Sequence, residues 1–363
     1  MQSSSPWAGA RRLTLVGLLA AAAAAGVAVL LWPAAGAQRG LPLPAPASRT
    51  GGGASSMDRV DVVFDERRLQ GALAFDDVTP LRRPSSAPAG ASRLHDETLV
   101  VGVALGAEAK AYPITVLQRH EIVNDEVGGV PVLVTWCPVC GTAVVHDRRI
   151  DGRPRSFGNY SALYENALTW YDHETRSLWS QPSGVALRGP LAGVRLDMLP
   201  ARVATWGAWK KEWPETLVLT EGIGSDSEEP VNPLADASGA FVVGVAVAGG
   251  AKGYPLDAIV GVVVNDEVGG VPVLVYARDA SAVIHVFDRR VSEMPLVFEW
   301  AGERLRDRQT GSLWDAATGE AVEGRWEGSA LRELPYGTAF EWAWRAFYPD
   351  AGVYEPQENT RTR

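Results

Sequence analysis

The sequence has few of the residues from which active sites and metal centres are usually built. Among 363 residues there are two cysteines and five histidines. The chain contains no HExxH zinc motif, no glycine-rich phosphate loop and no Gly-x-Ser-x-Gly nucleophile elbow. The sequence therefore gives no support for zincin-type hydrolysis, phosphate-loop nucleotide chemistry or serine-hydrolase chemistry. Any chemistry must come from a small set of side chains.

The chain also lacks an excess of positive charge. It carries 34 Lys and Arg against 43 Asp and Glu, a formal net charge of -9. Without a basic patch to neutralise phosphates, no nucleic-acid partner is expected. With 46% hydrophobic residues, a chain of this length can bury two sizeable cores.

Only one apolar run is long enough to cross a bilayer, and it lies at residues 13–32 after Arg11 and Arg12. The arginines would stay inside, and the rest of the chain would be exported to the cell envelope. Residues 1–32 are therefore expected to form an apolar helix that acts as a membrane anchor. A signal peptide cleaved near Ala37 is the alternative. Residues 33–57, rich in Pro, Gly, Ser and Ala, are expected to be a flexible linker.

The remainder of the chain is an internal duplication. The eleven letters NDEVGGVPVLV occur at 124–134 and again at 265–275, and the flanking motifs follow in the same order. The period is too long for a solenoid, so two homologous domains are expected. We place them at residues 58–220 and 241–355, joined by an acidic linker at 221–240, and expect them to pack as a pseudo-dimer.

Short β-branched segments separated by Gly and Pro predict that each domain is a β-rich α+β unit. Strands are expected at 98–105, 130–136, 142–149 and 217–220, and a turn at 125–129. Helices are expected at 114–123 and 204–212. Their counterparts in the second copy are 256–262 and 339–347.

Comparing the two copies separates scaffold from candidate chemistry. Shared residues are expected to be structural, whereas residues that only the first copy has are candidates for a site. The aligned positions that differ are Cys137 with Arg278, Cys140 with Ser281, His120 with Gly261 and Gln181 with Ala316. The first copy also has a longer loop, which contains Ser161, Tyr164 and Asn166. We interpret the joint loss as one site, with the loop and Gln181 lining it.

Three interpretations of Cys137-Pro138-Val139-Cys140 remain open. With His120 as a third ligand, the cysteines predict a Cys2His site for copper or zinc. Alternatively, the pair performs thiol–disulfide exchange, with Cys137 as the attacking thiolate and Cys140 as the resolving thiol. The third interpretation is a structural disulfide in a non-enzymatic binding module of the cell envelope. His146, aligned with Phe287, is expected to pack in the core and not to bind a metal.

Several motifs of the first copy together resemble a known family. HEIVNDEVGG, VTWCPVCGTA, SALYEN, SLWSQ and GPLAG are similar to the family called domain of unknown function 3179. The resemblance is strong over 98–219 and extends to the second copy as a degenerate version. It implies that His120, Cys137 and Cys140 belong to one set, but it implies no reaction or substrate.

Overall fold

The fold is described from a computed structural model, which covers residues 59–71, 75–221, 232–233, 241–279 and 283–356. The predicted apolar helix, the linker at 33–57 and the possible cleavage site near Ala37 lie outside the described residues. Most of the predicted acidic linker does so as well. Among the residues that are described, no helix is both long and apolar enough to cross a membrane.

The first copy is built mainly from strands. In chain order they are β1 (Leu69–Gln70), β2 (Leu81–Arg82), β3 (Ser86–Pro88), β4 (Leu99–Leu105), β5 (Glu108–Pro113), β6 (Ile122–Val127), β7 (Val130–Cys137), β8 (Thr142–Asp147), β9 (Arg149–Ile150), β10 (Arg153–Pro154), β11 (Phe157–Tyr164), β12 (Ala167–Asp172), β13 (Leu178–Ser180), β14 (Ala186–Arg188), β15 (Arg202–Thr205) and β16 (Leu217–Leu219). Two short helices, α1 (Ile114–His120) and α2 (Trp206–Glu212), accompany them.

The second copy repeats this order with shorter elements. Its strands are β17 (Phe241–Val247), β18 (Gly250–Pro255), β19 (Val264–Val268), β20 (Val271–Ala277), β21 (Ile284–Asp288), β22 (Arg290–Val291), β23 (Met294–Pro295), β24 (Phe298–Ala301), β25 (Arg304–Asp307), β26 (Leu313–Trp314), β27 (Ala321–Glu323), β28 (Arg332–Glu333), β29 (Gly337–Phe340) and β30 (Gly352–Val353). Its helices are α3 (Leu256–Ile259) and α4 (Glu341–Phe347). The prediction of a β-rich fold with a repeated unit is confirmed.

Each copy contributes three larger sheets and one two-stranded sheet, which is β10-β9 in the first copy and β22-β23 in the second. The sheet β15-β4-β5-β16-β3 corresponds to β29-β17-β18-β30, and β2-β6-β7-β8 corresponds to β19-β20-β21-β28. The third sheet, β1-β11-β12-β13-β14, corresponds to β24-β25-β26-β27. The central strands of these sheets follow the same order in both copies, so residues aligned by sequence in them occupy equivalent places. The edge strands differ, because β2 pairs with β6 in the first copy whereas β28 pairs with β21 in the second.

Buried polar side chains of the shared segment tie the sheets together. Asn124 bonds both the amide and the carbonyl of Phe157, at 2.7 and 2.8 Å. Asn265 makes the same two bonds to Phe298 at the same two distances. A side-chain amide has both N–H donors and an acceptor oxygen, and it can therefore bond both backbone groups of a residue on another strand. This pairing explains why both copies keep the asparagine.

Two sequence predictions about this region were wrong in detail. Residues 124–127 form the end of strand β6, and the turn is confined to Gly128 and Gly129, which both have positive φ. Helix α1 ends at His120 and does not reach residue 123, because Glu121 adopts a left-handed conformation with φ of 57°. That break turns the chain from helix into strand within one residue.

The two copies share continuous hydrophobic cores. One buried cluster contains Val101 and Val134 of the first copy together with Val243 and Val275 of the second. A second cluster joins both cysteines to residues of β29 and α4. Burial of apolar surface between the copies, at roughly 25 cal/mol per Å2, contributes to the stability of each of them.

Candidate functional site

The two cysteines flank a surface turn between strands β7 and β8. Cys137 is the last residue of β7 and pairs with Thr142, the first residue of β8. Pro138 and Val139 are exposed at the tip, whereas the cysteine side chains are 1% and 0% exposed. Both are free thiols. The turn thus presents its apex to solvent and keeps its sulfur atoms beneath the surface.

The two thiols have different environments. The backbone amide of Cys140 donates a hydrogen bond of 3.4 Å to the sulfur of Cys137. Burial alone would raise the pKa of Cys137, but hydrogen bonds from the Cys140 thiol, the Cys140 amide and the Leu168 amide outweigh it and lower that pKa. Burial raises the pKa of Cys140 well above its ordinary value, and its bond to Cys137 raises it further. The geometry therefore favours a thiolate on Cys137.

The longer loop of the first copy supplies one of those hydrogen-bond donors. It extends the hairpin of β11 and β12, in which Leu168 belongs to the same buried cluster as both cysteines. Tyr164, in the same hairpin, belongs to the buried cluster that contains both cysteines, and its hydroxyl accepts a hydrogen bond of 3.2 Å from the amide of Asp65. Asn166 lies in the hairpin turn with φ of 61°. The Tyr164 hydroxyl is thus bonded to backbone groups of residues 63 and 65.

Gln181 supports the strands that carry the turn. Its amide nitrogen donates to the hydroxyl of Thr135 at 3.1 Å and to the carbonyl of Thr142 at 2.9 Å. The residue is fully buried. Since Thr142 is paired with Cys137, Gln181 fixes the strand register next to the cysteines, and this is a positioning role.

His120 contacts a backbone carbonyl outside the cysteine turn. Its Nδ1 atom lies 2.8 Å from the carbonyl oxygen of Thr79. Within the ranges that the structure describes, which include His120, Cys137 and Cys140, no three or more His, Cys, Asp or Glu side chains are grouped so that they could hold a metal ion. The Cys2His site therefore stays a prediction that this arrangement of side chains does not favour.

Glu121, the neighbour of His120, is the residue that the sequence comparison missed. Its carboxylate accepts a hydrogen bond from the side-chain amide of Asn159. Burial raises the pKa of Glu121, and the bond from Asn159 opposes that rise. A negative charge on Glu121 raises the pKa of Cys137, so the carboxyl group and the sulfur interact electrostatically.

Asn159 links this carboxyl group to the loop. Its Oδ1 accepts a hydrogen bond of 2.6 Å from the amide of Ser161, which has φ of 58° beside a register shift in β11. The Oγ of Ser161 is buried and has no hydrogen-bond partner among the described residues. Ser161 thus reaches the site through its backbone.

The second copy has an open pocket of about 340 Å3 at the equivalent place. Gly261, Val262 and Trp300 line it where the first copy has His120, Glu121 and Asn159. In the first copy this space is covered by the segment around Asp76, whose carboxylate accepts a 2.9 Å bond from the Asn159 amide. The alignment that identified the cysteines also shows that Val262 and Trp300 replace Glu121 and Asn159 in the second copy.

His146 lies in the core, as predicted from its alignment with Phe287. It is fully buried, and neither ring nitrogen has a hydrogen-bond partner among the described residues. The ring packs edge-on against Trp170 at 5.6 Å between centroids. Burial lowers its pKa to about 3, so the imidazole is neutral and serves as a packed aromatic ring.

A comparison with known protein families matches both halves of the chain. The profile described as "Protein of unknown function (DUF3179)" matches residues 76–237 and again residues 227–363. The chain belongs to this family. The two matches to DUF3179 confirm the resemblance stated from the motifs and agree with the duplicated sheets. No curated protein and no solved structure matches the chain.

Proposed function

We propose that the protein is a thiol–disulfide oxidoreductase whose reactive pair is Cys137 and Cys140. One observation carries the proposal: the sulfur of Cys137 accepts a hydrogen bond from the Cys140 amide. Hydrogen bonds to the charged form favour a thiolate, and the thiolate is the nucleophile in disulfide exchange. The opposite pKa directions of the two thiols support Cys137 as the attacking thiolate and Cys140 as the resolving thiol.

The exchange balances in two steps. The Cys137 thiolate attacks one sulfur of a substrate disulfide, forms a mixed disulfide and releases the first substrate thiolate, which takes up a proton. Cys140 then loses its proton and attacks the Cys137 sulfur, releasing the second substrate thiol. The substrate gains two electrons and two protons, and the protein is left with a Cys137–Cys140 disulfide.

Access to the sulfur requires movement of the turn. The side chain of Cys137 is 1% exposed, whereas Val139 at the apex is 47% exposed. A substrate disulfide therefore meets Pro138 and Val139 first, and the turn must shift before Cys137 can attack. Gln181 holds the strand after the turn through its bond to the Thr142 carbonyl.

The test uses the full chain, reduced and purified without added metal. Free thiols are counted before and after treatment with oxidised dithiothreitol, and exchange with dithionitrobenzoate is timed for Cys137→Ser, Cys140→Ser and the control His120→Ala. We expect a reversible loss of both thiols and a trapped mixed disulfide in Cys140→Ser. Slow reaction is expected in Cys137→Ser, and normal reaction in His120→Ala.

Other outcomes would overturn the proposal. An inert disulfide would favour the binding module, and stoichiometric copper or zinc that is lost in both Cys137→Ser and His120→Ala would favour the predicted metal site. Equal exchange rates in the two cysteine variants would remove the assignment of roles.

The expected location belongs to the same proposal. An apolar run at 13–32 and a proline- and glycine-rich stretch after it support an exported protein tethered to the membrane, with the two copies acting as a pseudo-dimer. Fractionation of cells that express the full chain tests the tether. Release of the protein without detergent would support cleavage near Ala37.

A further inference from the structure

The second copy leaves two strand edges open that the first copy covers. In the first copy, β2 pairs with the outer side of β6, and the amide of Arg83 donates a hydrogen bond of 2.8 Å to the carbonyl of Asn124. Beside β11, the amide of Asp76 donates one of 2.9 Å to the carbonyl of Asn159. Within the ranges that the structure describes, no strand pairs with the corresponding sides of β19 and β24. Such edges present N–H and C=O groups that can bind another extended segment.

The two open edges border the pocket of about 340 Å3 in the second copy. Asn265 of β19 and Trp300 of β24 line it, and Val262 adds an apolar side chain that is 45% exposed. The indole of Trp300 donates a hydrogen bond of 3.0 Å to the carbonyl of Gly261. The guanidinium of Arg278 lies 4.8 Å from the centroid of the same ring. Because these contacts hold the tryptophan in place, the pocket is formed without a ligand, as binding sites usually are.

A carboxylate anchors the segment that covers the first copy. The carboxylate of Asp76 accepts a hydrogen bond of 2.7 Å from the hydroxyl of Tyr171 and lies 3.9 Å from Nε2 of His173. At these two positions the second copy has Arg306 and Arg308. A guanidinium binds a carboxylate through charge-assisted, often paired hydrogen bonds. The second copy therefore has stronger carboxylate-binding side chains at the place where the first copy already holds a carboxylate.

Positive charge is concentrated beside the pocket, although the whole chain has a net charge of -9. Exposed arginines occupy alternate positions along β25 and just after it, namely Arg304, Arg306 and Arg308. Two glutamates lie among the arginines: Glu299 pairs with Arg308 at 2.8 Å, and Glu303 lies 3.9 Å from Arg278. Both pairs are exposed to solvent, and exposed ion pairs contribute little free energy. An incoming carboxylate can therefore take the place of either glutamate.

Going beyond the proposed function and independently of it, we propose that the second copy binds an extended acidic segment of another protein. The segment adds its backbone to the open edges of β19 and β24, as residues 75–83 do in the first copy, and its carboxylate lies between Arg306 and Arg308. Trp300 and Val262 supply the apolar contact between the two edges. The arginines select for negative charge, and the edges select for an extended backbone.

The binding test uses the full chain and a peptide taken from the segment that covers the first copy. The labelled peptide FDDVTPL, the sequence of residues 75–81, is blocked at both ends and titrated with the protein by fluorescence anisotropy. We expect one site per chain. A control peptide with asparagine in place of both aspartates should bind at least about tenfold more weakly, because it loses the charge-assisted bonds. Methylation of the amide of the first aspartate should also weaken binding, because that N–H joins the strand edge.

Variants of the protein locate the site. Arg306→Gln combined with Arg308→Gln should weaken binding at least about tenfold. Arg345→Gln removes another exposed arginine that pairs with a glutamate, on helix α4, and should leave binding unchanged. Glu299→Ala removes the carboxylate that competes with the peptide for Arg308, so binding should become tighter. Loss of folding cannot produce a gain of affinity, and this variant therefore separates binding from stability.

Four results would overturn the proposal. Equal affinities of both peptides and of all variants would show that this site does not bind them. Polyphosphate that binds through the same arginines, with no effect of amide methylation on the peptide, would indicate a general polyanion site. Peptide binding that appears only after Glu228→Gln and Glu229→Gln would identify the acidic stretch of the same chain as the occupant. Dimers that dissociate when the peptide is added would identify a second copy of the chain.

Discussion

The hydroxyl group of Thr338 donates a hydrogen bond of 3.0 Å to the carbonyl oxygen of Gly141, the residue after Cys140. The same hydroxyl accepts a 3.0 Å bond from the amide of Ala143. Phe340 completes the contact, because its amide donates to the Cys140 carbonyl at 2.9 Å. The second copy, which has no cysteines, therefore holds the cysteine turn of the first.

Replacing Thr338 with valine should destabilise this contact. The change keeps the side-chain shape but leaves the buried amide of Ala143 without its acceptor, a loss of about 1–3 kcal/mol in the free energy of unfolding. Urea denaturation measures it. Thr318→Val, at an exposed position, is the control and should cost less. Equal stability of Thr338→Val and wild type would contradict the contact.

The Gly141→Ala substitution should lower the stability of the fold by more than the positive φ of Gly141 alone implies. Gly141 has φ of +64°, and an added Cβ would lie 2.7 Å from Cε2 of Phe241. Gly129 has φ of +75° with open space around it, so Gly129→Ala measures backbone strain without the clash. We expect Gly141→Ala to lose at least about 2 kcal/mol more than Gly129→Ala in thermal or urea unfolding. Similar losses would mean that the phenylalanine moves aside.

Replacing a buried aspartate that both copies share should lower the free energy of unfolding by a similar amount in either copy. Asp172 accepts a bond of 3.0 Å from the indole of Trp179, and Asp307 accepts one of 3.0 Å from Trp314. Alanine at either aspartate leaves an indole N–H and turn groups unpaired, which should cost roughly 2–4 kcal/mol of unfolding free energy. A large effect in one copy and none in the other would contradict the structural equivalence of the two aspartates.

His146→Phe should flatten the dependence of stability on pH. The folded protein holds His146 neutral with a pKa of about 3, whereas the unfolded chain takes up a proton near pH 6.5. The unfolded state therefore binds more protons between these values, and stability falls as pH falls through this window. Between pH 7 and pH 5 the loss should be about 2 kcal/mol.

Phenylalanine is the residue that the second copy has at this position, Phe287, and it packs there beside Gly319 as His146 packs beside Gly184. The variant should therefore fold and lose this part of the pH dependence, as measured by urea unfolding at several pH values. An unchanged slope in His146→Phe would assign the dependence to other groups, such as His285, whose pKa is also lowered by burial.

The internal repeat allowed the scaffold to be predicted from the sequence, because identical letters occupy equivalent strands. The comparison also identified Gln181 and the cysteines, which the structure places together through Thr142. It did not identify Glu121. His120 and Glu121 are adjacent, and the left-handed break between helix and strand sends one to Thr79 and the other to Asn159. A sequence pattern does not reveal which of two neighbours a single backbone angle will turn inward.

The contact between Thr338 and Gly141 spans 197 positions of the chain. Loop closure over that length is costly, so we expect the cysteine turn to reach its final form only after β29 has docked. Before docking, the Cys140 carbonyl and the Ala143 amide would lack the partners that β29 supplies. The copy without cysteines is thus expected to set the time at which the cysteine pair acquires its native environment.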